Sequence, residues 1–404
     1  MSAKISFAIT LSLALLVGCD AHIEKFDDNE LYGLVLAKSR ATESTVAVED
    51  AATVVDELFG SPNTPRWPNS LAEFGLVDAD RLTQAAGAVS SLRDGTHRGL
   101  YREHCVVCHA LPGSGAGPAS LFQNPYPRDF RKGVYKWKST ERSAKPSRED
   151  LKRLLVRGVP GTAMPSFAIL AEEDLESLID YVIYLSVRGE LERKLIAGAI
   201  DELDYGESIS DDLRLSTDPE SEAGPLVAKW LHEVAESWGN ANEAVVVVPA
   251  FPTLKGQQLQ SSVQRGKDIF HGQIANCVGC HGPSGNGNAV TLDYDDWTKE
   301  FSTQIGLTPT DRDAMRPFRK AGALRPRQIN PRDLQSGVFR GGRDPEVLFR
   351  KITQGIAGTP MPAVELVDKE NGKGLTVDQI WDLVRYLHAL ADGSLHTTSG
   401  DNLL

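Results

Sequence analysis

The sequence predicts an all-α protein built from two copies of one helical module, and three observations predict it. First, a set of segments recurs in order. "LYREHCVVCH", "NPYPRDFRKGVYKWK", "LKRLLVRGVPGTAMPSF" and "EEDLESLIDYVIYLS" are answered by "DIFHGQIANCVGCH", "INPRDLQSGVFRGG", "LFRKITQGIAGTPMPAV" and "LTVDQIWDLVRYLHAL". Second, the closing run of each copy has apolar residues at helical spacing: Leu175, Leu178, Ile179, Val182 and Leu185, then Ile380, Leu383, Val384 and Leu387. Third, 404 residues allow two or three domains, each with its own core.

Taken in order, residues 1–18 carry Lys4 and then an apolar run from Ile5 to Gly18. That run is too short to span a bilayer comfortably and has the form of a secretory signal peptide. It ends Leu16-Val17-Gly18-Cys19, which resembles the bacterial lipobox and marks Cys19 for lipidation; the alternative is an ordinary signal peptide with an incidental cysteine. The mature chain is therefore expected on the extracytoplasmic (periplasmic) side of a bacterial membrane, held by an N-terminal lipid anchor. Asp20 resembles a retention signal for the inner membrane. No later stretch reads as a transmembrane helix.

Residues 19–92 read as a mostly helical or linking segment, with "AATVVDELFG" before the Pro-rich "SPNTPRWP". The first module is placed at 93–190. Acidic residues at 172–176 suit the first turn of its last helix, where the helix dipole favours negative charge. An acidic linker at 191–261 is interrupted by a helix over 222–237. The second module spans 262–392, with an insertion before its methionine loop, and 393–404 form a tail. Tyr101 and Phe270 are expected where the first and last helices of each module cross.

Net charge is −12, with eight excess negative charges in each of 20–92 and 191–261, which makes nucleic acid a poor partner. Residues 128–157 run the other way, with eleven Lys or Arg against four Asp or Glu. That stretch is either a steering surface for an acidic redox partner or a solvated helix face.

Cys105, Cys108, Cys277 and Cys280 form two close pairs. Disulfides or zinc would use such pairs, but zinc needs further ligands at suitable spacing. A histidine directly after the second cysteine, His109 and again His281, is instead the c-type haem attachment pattern. The cysteines add to the porphyrin vinyl groups, and the adjacent histidine reaches the iron from one face.

The methionines then single out the opposite face. Of Met1, Met164, Met315 and Met361, only Met164 falls in the first module. Met361 occupies the matching Gly-Thr-x-Met-Pro loop, and Met315 is expected to pack inside the insertion. Glycine and proline around each loop methionine fix a turn that passes close over the haem. His/Met ligation raises the reduction potential relative to two histidines and leaves no open position, which suits electron transfer. His97, His104, His271 and His388 are read as surface or packed residues, with ligand switching through them left open.

With these residues in place, the chain resembles the class I cytochrome c family in tandem di-haem form, over roughly 230 of its residues. The resemblance implies two tandem class I cytochrome c helical domains, each wrapped around a covalently bound haem c. Cys105, Cys108, Cys277 and Cys280 would hold the porphyrins, His109 and His281 would be proximal iron ligands, and Met164 and Met361 distal ones. It implies an electron carrier or electron-transfer subunit rather than an enzyme, working between a quinol-oxidising complex and a terminal oxidase or other acceptor. Two other readings are a di-haem peroxidase, which needs a displaceable distal ligand, and a haem-containing docking or redox-sensing subunit. The segment before the first module and the stretch that sets Met361 80 positions after His281 depart from a minimal domain and are expected to be docking surfaces.

Overall fold

Apolar residues at helical spacing produce helices almost throughout. A computed structural model describes residues 25–206, 209–210, 213–288, 293–370 and 372–394. The expected signal segment, Cys19 and nearly all of the tail lie outside the described residues. Helices α1 (Glu30–Arg40), α2 (Thr45–Phe59) and α3 (Ala79–Ala85) precede a two-residue antiparallel ladder, β1 (Ser90–Ser91) with β2 (His97–Arg98). The three helices bury Leu36, Phe59, Leu82 and Ala85 in the same core as Leu178, Leu185 and Leu195.

The haem-motif segment follows as α4 (Leu100–His104) and α5 (Val106–His109), then α6 (Arg148–Arg157). The start of α6 is set by a reciprocal cap in which Ser147 Oγ accepts from the Asp150 amide and the Asp150 carboxylate accepts from the Ser147 amide. Helix α7 (Glu172–Asp201) is the central strut. It continues well past the expected end of the module at 190, because Leu191, Leu195, Ile196 and Ala199 prolong its buried face. Helix α8 (Gly224–Gly239) lays Trp230 and Trp238 into the same core. Much of the acidic stretch expected as a linker is thus packed structure, with Trp230 and Trp238 buried.

The second half contains α9 (Gly256–His271), α10 (Val278–His281), β3 (Asp293–Tyr294), α11 (Asp296–Glu300), α12 (Arg312–Lys320), β4 (Gln328–Ile329), α13 (Pro345–Gln354) and α14 (Val377–Ala391). Strands β3 and β4 form a second two-residue antiparallel ladder. Helices α9 and α14 cross with Phe270 and Tyr386 5.4 Å apart between ring centres, and Tyr101 meets Tyr181 of α7 at 4.8 Å in the first half. Phe270, Phe349 and Trp381 anchor this second core.

A third, smaller core joins the N-terminal segment to the insertion. Trp297, Phe301, Met315 and Phe318 of the insertion pack on Leu31 and Val35 of α1. The N-terminal segment and the insertion cover each other, and Met315 is a packing residue. Lys132 pairs with Glu300 at 2.8 Å, and Arg193 pairs with the same carboxylate, which ties the insertion to the first half.

Candidate redox site

Each Cys-x-x-Cys-His run folds as a single helical turn, so its histidine follows the second cysteine on one short helix. His109 Nδ1 donates to the Arg128 carbonyl at 3.0 Å, and His281 Nδ1 donates to the Arg332 carbonyl at 3.0 Å. Both carbonyls belong to the Pro-Arg-Asp repeat, so the same local sequence performs the same task twice. A bond at Nδ1 fixes the tautomer and ring direction and leaves Nε2 with its lone pair, the usual arrangement behind a metal-bound imidazole. Burial pushes His109 down to about 4, against the raising effect of its carbonyl bond, and pushes His281 down in the same way. Both rings are therefore neutral near pH 7, the form that ligates. Phe130 stacks on His109 with ring centres 4.4 Å apart and further restricts it.

The methionine turns also repeat bond for bond. Thr162 Oγ1 donates to the Val159 carbonyl at 2.8 Å and accepts from the Met164 amide at 3.2 Å; Thr359 Oγ1 does the same with Ile356 and Met361 at 2.8 and 3.2 Å. The Val159 amide returns to the Met164 carbonyl at 3.1 Å and the Ile356 amide to the Met361 carbonyl at 3.2 Å. Gly158 (φ +63°) and Gly355 (φ +65°) open the two turns, and a Cβ at either would stand 2.6–2.7 Å from backbone of the residues after it.

The four motif cysteines are free. Burial, then Cys108, pushes the Cys105 thiol up to about 12, and burial pushes Cys277 up to about 11. Both thiols are therefore held in the neutral form near pH 7. Among the described residues no group of three or more His, Cys, Asp or Glu side chains could hold a metal ion. The donors in place, two thiols and one neutral imidazole in each run, fit a haem.

A second feature also fits. Arg128, Lys136, Arg332 and Arg340 gather where the two halves meet. Burial, then Arg128 and Arg340, lowers Lys136 to about 7, with Asp295 and Asp296 opposing only partly. Burial and then Arg332 lowers Arg340, whose buried Nε has no hydrogen-bond partner. Such a cluster calls for anionic groups, and haem carries two carboxylates. The sequence did not mark these residues as a set, because they come from loops some 200 positions apart; the Arg of each Pro-Arg-Asp repeat was the available signal.

Several charges of the basic run 128–157 are paired. Arg131 pairs with Asp129, Lys145 with Glu190, Arg148 with Asp180, Lys152 with Glu172 and Arg153 with Asp150. Of the lesser histidines, His271 bonds its own helix and the Pro283 carbonyl, His388 bonds the Arg343 carbonyl and His97 pairs with Glu103.

Residues 93–182 match the family described as Cytochrome C oxidase, cbb3-type, subunit III, and residues 263–391 match the family described as Cytochrome c. No curated protein matches. Among solved structures, a chain of the Kuenenia stuttgartiensis reducing HAO-like protein complex aligns with 23% identity and a TM-score of 0.45, over 75% of this chain and 99% of that one. The molecule is thus a haem-associated redox protein of predominantly helical fold. More particularly, it carries a cytochrome-c-type domain and a cbb3-oxidase-related domain, both of them electron-transfer modules rather than catalytic ones. Among the described residues, no helix is long and apolar enough to cross a membrane.

Proposed function

We propose that the chain is a di-haem electron-transfer protein, with one haem c per module, at 93–190 and 262–392. Cys105 and Cys108, then Cys277 and Cys280, would hold the porphyrins as thioethers. His109 with Met164, and His281 with Met361, would be the axial pairs. The observation that carries this reading is the duplication of the whole supporting geometry: the same carbonyl behind each histidine and the same threonine under each methionine.

A bound haem supplies a one-electron iron couple. The chain's own residues supply what surrounds it. His109 and His281 stay neutral and fixed, Met164 and Met361 are presented on rigid turns, and Arg128, Lys136, Arg332 and Arg340 offer positive charge to the carboxylates. Held by these residues, the group would supply one-electron chemistry with no proton donor or acceptor required of the chain. The oxidase-associated first domain favours a respiratory role, between a quinol-oxidising complex and a terminal oxidase or another acceptor. The signal-like start and Cys19 favour an extracytoplasmic protein with a lipid anchor on the inner membrane.

The test is a haem count by pyridine haemochrome, followed by a potentiometric titration that monitors the weak sulfur-to-iron absorption band. Two haems per chain, both at positive potential and both with the band, are expected. A centre that lacks the band and turns over peroxide would replace this reading with an enzymatic one.

A further inference from the structure

We propose that Arg142, a residue of the first module, is a positioning residue for Met361, the methionine offered to the second iron. The proposal rests on the His/Met reading above and extends it across the module boundary.

Arg142 Nη1 donates to the Met361 carbonyl at 3.0 Å, and Nη2 donates to the Thr359 carbonyl at 3.3 Å. One planar guanidinium thus grips two alternate carbonyls of a single turn, and the Met361 carbonyl also accepts from the Ile356 amide. Charged donors make stronger bonds than neutral ones, and the rigid fork fixes direction as well as distance. The turn admits this arm because residue 355 is glycine: a Cβ there would lie 2.5 Å from Arg142 Nη1.

The arm is itself held from behind. Ser139 donates its amide and its hydroxyl to the Asp150 carboxylate, at 2.9 and 3.0 Å. The Glu141 amide donates to the Ala244 carbonyl at 2.9 Å, and the Val246 amide to the Ser139 carbonyl at 2.9 Å. Lys138 Nζ bonds the Ala144 carbonyl at 2.5 Å and closes the loop on itself. Arg142 therefore projects from a braced loop and is not a free surface side chain reaching for a neighbour.

The two halves differ at this point. The arginine facing the Met164 turn is Arg332, and a Cβ on Gly161 would stand 2.9 Å from its Nη2. Arg332 nevertheless donates its Nε to Val338, within its own module, at 3.3 Å. The first methionine turn is approached across the boundary, whereas the second is bonded across it. A thioether is a weak, soft iron ligand, so backbone placement decides how well it competes with other ligands. It follows that ligation at the second iron depends on correct docking of the first module.

The experiment uses the full haem-loaded chain in two backgrounds. In Met164→Ala the remaining sulfur-to-iron band reports the second iron alone, and in Met361→Ala it reports the first. Arg142→Ala and Arg142→Gln are introduced into each, and imidazole is titrated as a competing ligand. In the Met164→Ala background, either change should tighten imidazole binding at the second iron about tenfold or more, the scale of a lost charged hydrogen bond. In the Met361→Ala background, imidazole competition against Met164 should be unchanged. Equal effects on both irons, or none at the second, would overturn the proposal. Absence of the band from Met164→Ala before any change at Arg142 would instead defeat the underlying His/Met reading, and this proposal with it.

Discussion

The methionine turns are decided residue by residue, and the residues do not contribute equally. Thr162 makes two neutral hydrogen bonds, and the net worth of such a bond is about 1 kcal/mol. Gly158 sits at φ +63° with no room for a Cβ, and holding another residue there costs about 1–3 kcal/mol before the steric clash is relieved. Gly158→Ala is therefore expected to lower the melting temperature and weaken the sulfur-to-iron band of the first haem more than Thr162→Val does. Thermal melts with the band recorded on the same samples check this order. If Thr162→Val were the more damaging, the hydroxyl rather than the backbone would set the turn. The candidate site residues could be named from the sequence because each set is local. Cys-x-x-Cys-His and Gly-Thr-x-Met-Pro each span a few positions, and the chain states both twice. The carbonyls of Arg128 and Arg332 were not legible, since a backbone atom leaves no mark in residue identity.

At the scale of elements, α11 is fastened to the first half by charge. Burial acts to raise the Glu300 carboxyl, but Lys132 and Arg193 outweigh it and bring it down to about 2. A carboxyl with a folded value below its unfolded one adds stability above the unfolded value. The contribution is complete above about pH 4.5 and disappears as pH falls toward 2, with a ceiling on the order of 3 kcal/mol. Glu300→Gln should therefore unfold at lower denaturant than the parent at pH 7, and the difference should close as pH falls from 4.5 toward 2. Denaturant midpoints across that range measure it; a difference that persists at pH 2 would mean packing rather than charge. Helix α8 makes a complementary case. Trp230 is 3% exposed, and Trp230→Ala should cost about 3–5 kcal/mol in denaturant unfolding. Helical spacing made the last helix of each repeat legible, but not the length of α7. Tyr181, Ile183, Tyr184 and Val187 are buried beside the expected apolar stripe, and a helix covered nearly all round has little polar face to announce where it lies or stops.

Across the whole molecule, the unexpected feature is that a side chain of the first half holds the methionine turn of the second. Arg142 and Met361 are 219 positions apart, and no periodicity or motif links them, so this contact could only emerge from the fold. The support should be traceable one step further back. Asp150 is fully buried and accepts from the Ser139 amide and hydroxyl, the Ser147 amide at 3.1 Å and Arg153 Nη2 at 2.5 Å. It caps α6 and at the same time anchors the loop that carries Arg142. Asp150→Asn keeps the shape but replaces one accepting oxygen with a donor and removes the charge facing Arg153. The lost satisfaction of a buried group costs about 2 kcal/mol. If that cost stayed within the first module, only its unfolding would change. Because the loop continues to Arg142, Asp150→Asn is expected also to tighten imidazole binding at the second iron severalfold, by less than Arg142→Ala does, since the guanidinium remains present but less well aimed. Combining Asp150→Asn with Arg142→Ala should then add little at that iron while still lowering stability. Additive effects on imidazole binding would mean that the two residues act independently and that the loop does not transmit the constraint.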